Sequence, residues 1–422
     1  MKKALIVFVL ICTSALLYGQ DGDVKEGWSF VPFPDISYNS DIGLNMGGFC
    51  DFFYYGEGAD NTYPNFKHHI ATTAAWATKG VWYVHTMAES KTLVPGIRLT
   101  GSLTYRNATM NTFYGFNGIA SPYDATLDQN AKTRTAWYTT HRQLFRAVAG
   151  AQGPIYGRLN WTAGAVFRQI GIDDFSLKNY DSGNSLFQNY VASGLIRADE
   201  SVGGISAEVR AGLIYDTRDI EWVPNKGFYA EAYVNANKDL SHGHYDYLQL
   251  VAHWKQFIPI VYSRLTFAYH LGLQHCLAGE MPFYNLSELS ALAYQYEENE
   301  GMGGRFTIRG FRYKRFLAQG FAWANFELRA RVLDFGLLGN SCSLVVNPFF
   351  DMGTITKTYR LDEQKALGPV FYQERSLPVA MSAGCGLKYQ MNTNFILSIE
   401  VAKGFDPQLS ELTVSMSSTY AF

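Results

Sequence analysis

The sequence predicts an all-β protein: a 16-stranded antiparallel transmembrane β-barrel with a long outer loop folded into the lumen. Three observations predict it. Segments of about ten residues alternate apolar with polar or small side chains, each followed by a turn. Beyond residue 20 no window of about 18 apolar residues occurs, so no membrane helix is written into the chain. Aromatic residues make up 15 % of the chain and charged ones only 17 %, alongside 39 glycines. A soluble domain carries about 25 % charge.

Residues 1–20 read as a signal peptide. Lys2 and Lys3 form a positive start, "ALIVFVLICTSALL" the apolar stretch, and small residues near Gly19 a cleavage site. Residues 21–30 are then a short periplasmic lead-in, and residues 31–422 the barrel. Strands are expected at 31–39, 41–55, 66–78, 80–90, 97–110, 136–152, 157–171, 204–218, 227–238, 245–258, 264–278, 320–335, 344–357, 379–391, 395–404 and 412–422. The long connections, about 111–135, 172–203, 279–319 and 358–378, all follow odd-numbered strands. Long outer loops and short periplasmic turns are the asymmetry of such barrels, and a wrong strand count would scatter the long loops over both ends.

Individual strands separate an oily face from a polar one. In "ANFELRARV", Ala324, Phe326, Leu328, Ala330 and Val332 oppose Asn325, Glu327, Arg329 and Arg331. An Arg facing lipid at the bilayer midplane costs about 2–4 kcal/mol, so the charged row faces a polar interior. In "AEVRAGLIYDTRD", Glu208, Arg210, Asp216 and Arg218 likewise share a face. In "LTVSMSSTYAF", Leu412, Val414, Met416, Tyr420 and Phe422 are expected to share the lipid face. Trp76, Trp82, Trp137, Trp161 and Trp222 are candidates for interface girdles.

The stretch "GGRFTIRGFRYKRF" (Gly303–Phe316) lies in the longest loop, with five Arg or Lys in fourteen residues. That density excludes lipid. If the loop folds inward, Arg309 requires a carboxylate, because an unpaired buried guanidinium is very costly. In "NPFFDMG", Phe349, Asp351 and Gly353 share the lumen face. Gly384 and Gly386 in "AGCGL" point inward as a shallow wall patch where another backbone could approach. Gly310 permits a tight turn. The expectation is a loop tip docked on that patch, with Arg309 paired to Asp351 and Glu327.

"IRGF" after "EMPFY…GGRFT", then "ANFELR", "FFDMG", "GCGL" and a terminal Phe resemble the BamA/TamA-type barrels of the outer-membrane-protein-85 superfamily (bacterial surface antigen barrels). "YDTRD…VPNKGFY" (Tyr215–Tyr229) is similar to that family's strand–turn–strand unit. The resemblance implies sixteen strands, an inward sixth outer loop whose Arg309, Gly310 and Phe311 reach the lumen wall, and a weak seam between the first and last strands. It also implies an outer-membrane location. Family members usually carry periplasmic POTRA domains before the barrel; about ten residues between the signal and the first strand leave no room for one here. The first strand, "FVPFPDISYN", places Pro32 and Pro34 on one edge, which loses two N–H donors. With Tyr420 and Phe422 they mark the expected seam, unless both prolines lie in the lead-in before pairing starts.

Four function classes follow. The first is a barrel that inserts or transports proteins or lipids, with outer-membrane lipids, unfolded outer-membrane clients, a separate periplasmic or lipoprotein partner, or further copies of itself as partners. The others are a structural barrel without insertase activity, a plugged pore, and an enzyme. No Ser/His arrangement supports catalysis, and His242 and His244 read as solvated loop. No cofactor and no metal site are expected. A net charge of −2 gives no sign of nucleic-acid binding. Cys50, Cys276, Cys342 and Cys385 read as small apolar fillers on strands, with disulfides as the alternative that an oxidising compartment allows.

Overall fold

The computed structural model describes residues 26–57, 66–128, 136–175, 185–221, 223–291, 301–337, 339–375, 378–392, 395–418, 420 and 422. The expected signal peptide, most of the lead-in and Trp222 lie outside the described residues.

Sixteen strands form one closed antiparallel ring in which each pairs with its sequence neighbours and β1 closes on β16. They are β1 (Trp28–Asn39), β2 (Gly43–Tyr54), β3 (His68–Ala77), β4 (Val81–Val94), β5 (Ile97–Thr112), β6 (Thr139–Tyr156), β7 (Leu159–Asp173) and β8 (Gly203–Asp216). The second half comprises β9 (Gly227–Asp239), β10 (Tyr247–Val261), β11 (Leu265–Gly279), β12 (Gly320–Leu337), β13 (Asn340–Lys357), β14 (Val379–Met391), β15 (Phe395–Gly404) and β16 (Thr413–Ser417).

The alternation of side chains builds the wall. In β12, Asn325, Glu327 and Arg329 are buried inside, while Leu328 and Val332 stand exposed on the outer face. Trp76, Trp82, Leu103, Val209, Leu213 and Leu271 extend that exposed apolar surface around the ring. The polar groups are held inside because lipid offers them no hydrogen-bond partner.

The long connections all follow odd-numbered strands, so one end of the barrel carries them. There they pack into a cap with its own core. Phe113, Phe116, Tyr190, Phe283 and Tyr359 come from four different connections, and Phe116 meets Tyr359 edge-on at 4.6 Å. A short helix, Leu186–Ala192, is held in the cap by a capping box of Ser185 and Gln188. Asn117 joins the first cap segment to the last, donating to the Tyr359 carbonyl at 2.7 Å and the Gln364 side chain at 2.8 Å.

The closing edge departs from expectation. β1 begins at Trp28, so Pro32 and Pro34 lie within the strand, opposite Cys50 and Gly48 of β2. They are not in a lead-in. The β1–β2 register runs unbroken through both prolines, so their missing N–H groups belong to the other edge, the one that faces β16. On that edge, among the described residues, β1 pairs through Tyr38 with Met416 and Asn39 with Ser415.

β16 stops at Ser417, and Tyr420 and Phe422 do not face lipid as the alternation suggested. Both are buried inside. Continuing the β1–β16 register would set Tyr420 against Pro34 and Phe422 against Pro32, where β1 has no donors to give. The tail finds donors in the lumen instead. Arg305 donates to the Tyr420 carbonyl at 3.1 Å, and Arg329 to the Phe422 carbonyl at 3.0 Å. The Arg329 guanidinium also lies 4.2 Å from the Tyr420 ring centroid, and Gln390 donates to the Tyr420 hydroxyl at 2.5 Å.

Replacing both prolines by Val should restore the two donors and favour extension of β16. With cysteines at Ile36 and Ser418, in a background whose native cysteines are Ala, disulfide yield should be low with the prolines present and several-fold higher in the Pro32→Val/Pro34→Val protein. Equal yields would mean that the prolines do not hold the seam apart.

Candidate functional site: the lumen loop and the seam

Between β11 and β12, residues 301–319 are almost entirely buried inside the barrel. The segment closes on itself: Gly304 N–H donates to the Phe311 carbonyl at 3.1 Å, and the Thr307 hydroxyl bonds both backbone groups of Gly303. At its tip stand Arg309, Gly310 and Phe311.

Arg309 is the centre. Its Nε and one terminal nitrogen grip Asp351 of β13 through two parallel bonds of 2.8 Å, and its backbone N–H adds a third at 3.0 Å. Its other terminal nitrogen lies 2.5 Å from Glu327 of β12 and 3.3 Å from Glu400 of β15. The guanidinium plane stacks on Phe349, 3.5 Å from the ring centroid. Burial alone would lower the Arg309 pKa; Asp351, Glu327 and Glu400 overcome it and hold the group well above its ordinary value. Removing one partner from such a buried cluster typically costs about 3–5 kcal/mol, because the remaining charge is stranded.

Glu400 was not singled out from the sequence. It is the one acid in "FILSIEVAKG", on the same face as Ser398 and Ala402 and opposite to Lys403, so period two points it inward. Lys388 of β14 shares it at 2.8 Å, and Arg329 shares Glu327 at 2.8 Å.

The wall patch differs from expectation. Gly310 has φ +87°, a left-handed conformation that favours glycine, and a Cβ there would lie 2.9 Å from backbone atoms of Lys403 and Gly404 on β15. The loop backbone therefore approaches the end of β15, not Gly384 and Gly386. The space over Gly384 is filled by the Phe349 ring, and that over Gly386 by Asn347 and Glu400. Gly384 thus seats the ring on which Arg309 stacks. Gly353 does receive the loop, since a Cβ there would clash with the Ile308 side chain at 2.4 Å. The Phe311 ring covers Gly404 and meets Phe316 edge-on at 5.1 Å.

The same loop reaches the seam. Arg312 donates to the Ser40 carbonyl in the β1–β2 turn and to Glu411, just before β16, at 2.7 Å. It therefore bridges both sides of the closing edge beside the Val414 N–H, which donates to the Ser40 hydroxyl at 3.2 Å. Asp41, 3.9 Å from Arg312, is buried in that turn. Burial pushes its pKa up, Arg312 and Lys79 pull it back, and the balance leaves it raised to about 6.

The histidines make local contacts. His242 bonds the Gly203 carbonyl and His244 lies against Asp199, while His253 and His270 contact each other on the inner wall. Among the described residues no group of His, Cys, Asp and Glu is placed to hold a metal ion. Cys50, Cys276, Cys342 and Cys385 are free thiols.

Residues 78–408 match the family model of the Omp85 superfamily domain, and the chain belongs to that superfamily. Its barrel resembles the crystal structure of BamA from Haemophilus ducreyi lacking POTRA domains 1–3, with a TM-score of 0.58 at 16 % identity over 94 % of this chain and 71 % of that one. CdiB from Escherichia coli is similar at TM-score 0.54 and 10 % identity, over 94 % of this chain and 63 % of that chain. CdiB from Acinetobacter baumannii gives 0.50 at 10 % identity, over 93 % of this chain and 59 % of that chain. The chain thus spans about six-tenths of the CdiB chains. No curated protein sequence matches it. The fold and family place it in the bacterial outer membrane as a transmembrane β-barrel.

Two outcomes follow. Arg309→Ala and Asp351→Asn should each lower the temperature at which the folded band disappears in heat-modifiable gel mobility. Together they should lower it by clearly less than the sum, reflecting a coupling of about 1–3 kcal/mol; additive effects would exclude the anchor. Asp41, with its raised folded pKa, binds its proton more tightly folded than unfolded. Its contribution is therefore full below about pH 4 and is lost as pH rises through about 6. Asp41→Asn should then raise the transition temperature at pH 8 relative to the parent, with the gap closing below pH 4.

Proposed function

We propose that this barrel acts in the insertion or transport of proteins or lipids at the outer membrane, working at its β1–β16 seam and not through its lumen. The observation that carries this reading is the closing edge. Among the described residues two pairs, Tyr38 with Met416 and Asn39 with Ser415, join β1 to β16, and no strand pairing meets the β16-facing edge of β1 at Phe30, Pro32, Pro34 and Ile36. An exposed strand edge is a template for an incoming strand. Clients of this kind are unfolded outer-membrane polypeptides, and a short seam also perturbs the lipid beside it.

The lumen supports the same reading. The Arg309 loop and the outer cap together obstruct an axial path, so the Arg309, Gly310 and Phe311 motif serves as a plug anchored on Asp351, Glu327 and Glu400. Recruitment of clients falls to a separate periplasmic or lipoprotein partner or to another copy of the barrel. We assign no catalytic step and no cofactor to the chain. The layout we propose is a cleaved signal peptide at 1–20, a lead-in and the barrel, which N-terminal sequencing of the mature protein would check.

The purified barrel, reconstituted in liposomes, should speed insertion of an urea-unfolded outer-membrane client several-fold over empty liposomes, and a cysteine pair locking Tyr38 to Met416 should abolish that gain. No acceleration with a correctly folded barrel would leave the alternative, a structural member of an outer-membrane complex.

A further inference from the structure

The loop that carries Arg309 also carries Glu288, and the two charges end on opposite walls. Glu288 Oε1 lies 2.9 Å from Arg142 on β6. Its Oε2 lies 3.3 Å from Arg168 on β7 and 3.7 Å from Arg146 on β6. In a ring of sixteen strands, β6 and β7 lie half a turn from β14 and β15. Arg309 sits against β12, β13 and β15. We propose that Glu288 is a second anchor of opposite sign, so that the lumen loop is a strap tied across the barrel and not a lid hinged from one wall.

The chain around Glu288 is built for that role. Gln274 of β11 brackets it, donating to the Glu288 carbonyl at 2.7 Å and accepting from the Ser290 N–H at 2.9 Å. His253 of β10 contacts the Ser290 carbonyl at 3.2 Å, and Arg142 also donates to the Tyr284 carbonyl at 3.4 Å. Three guanidinium groups converge on one carboxylate, which is buried with them. Burial would raise the Glu288 pKa, but Arg142, Arg168 and Arg146 hold it below the ordinary carboxylate value. Without Glu288 those buried cations would repel one another. Arg168 has a further acid, Glu208 of β8, at 2.9 Å.

The consequence is a division of labour. The Arg309 and Arg312 contacts tie the loop to the seam side, and Glu288 ties it to the far side. A rearrangement at the seam can then release the near anchor while the far anchor keeps the loop inside the lumen. The inference needs only the inward loop and does not depend on which client the barrel handles.

Single-channel conductance in planar bilayers tests it, with correct folding established by heat-modifiable gel mobility. The parent protein should be nearly closed. Arg309→Ala alone should stay largely closed, and Glu288→Gln alone should give brief openings. The double variant should show porin-like conductance with an open probability about tenfold or more above the sum of the two, as coupled sites require. Glu288→Asp should restore the closed state. A fully open Arg309→Ala barrel, or a Glu288→Gln change with no effect in either background, overturns the proposal. Should Glu288→Gln fail to fold, Arg146→Gln, which removes the longest of the three contacts, takes its place, and unchanged conductance with and without Arg309 overturns the proposal equally.

Discussion

A guanidinium buried in the middle of a membrane barrel must be met by acids, and the interior of this molecule is arranged around meeting one. Arg309 brings its charge to a site without water's compensation, and Asp351, Glu327 and Glu400 arrive from three strands to receive it. The rest of the inner wall follows. Phe349 supplies the face beneath the guanidinium, Gly384 clears space for that ring, and Lys388 and Arg329 balance the acids that Arg309 does not fully neutralise. Gly310 turns the chain where β15 comes too close for any side chain.

One loop thereby links regions that the barrel wall keeps apart. Arg312, three residues beyond Arg309, bonds the β1–β2 turn and Glu411 across the closing edge. Arg305 and Arg329 hold the inward-turned C-terminus. Cationic side chains thus meet acids on the wall, carbonyls in the tail and both sides of the seam. The prolines explain why the tail is available for this. A terminal segment that cannot complete a ladder leaves carbonyls needing donors, and in a membrane protein those donors have to come from inside.

The wall was legible from the residues because a strand in a barrel has two solvents, and the chain must choose between them at every second position. Every one of the sixteen expected strands is present, with ends displaced by a few residues. Asp351 and Glu327 could be placed inward beside Arg309 for the same reason. Glu400 was equally marked as the one acid of β15, on the face of Ser398 and Ala402. The loop contact at Gly404 was not, since nothing local distinguishes a glycine that a distant loop approaches from one that seats a neighbouring ring.

What the sequence determined by itself was therefore the face each strand residue takes, and so the closed wall, its polar interior and the need for acids near Arg309. What only the tertiary structure decided was which distant groups meet across the lumen. Period two assigns a side chain to inside or outside, but the partner it finds there depends on shear, loop path and the two prolines on the β16-facing edge of β1. That is why Tyr420 and Phe422, assigned to lipid by alternation, lie in the lumen: β1 has no N–H to offer at Pro34 and Pro32, and Arg305 and Arg329 do.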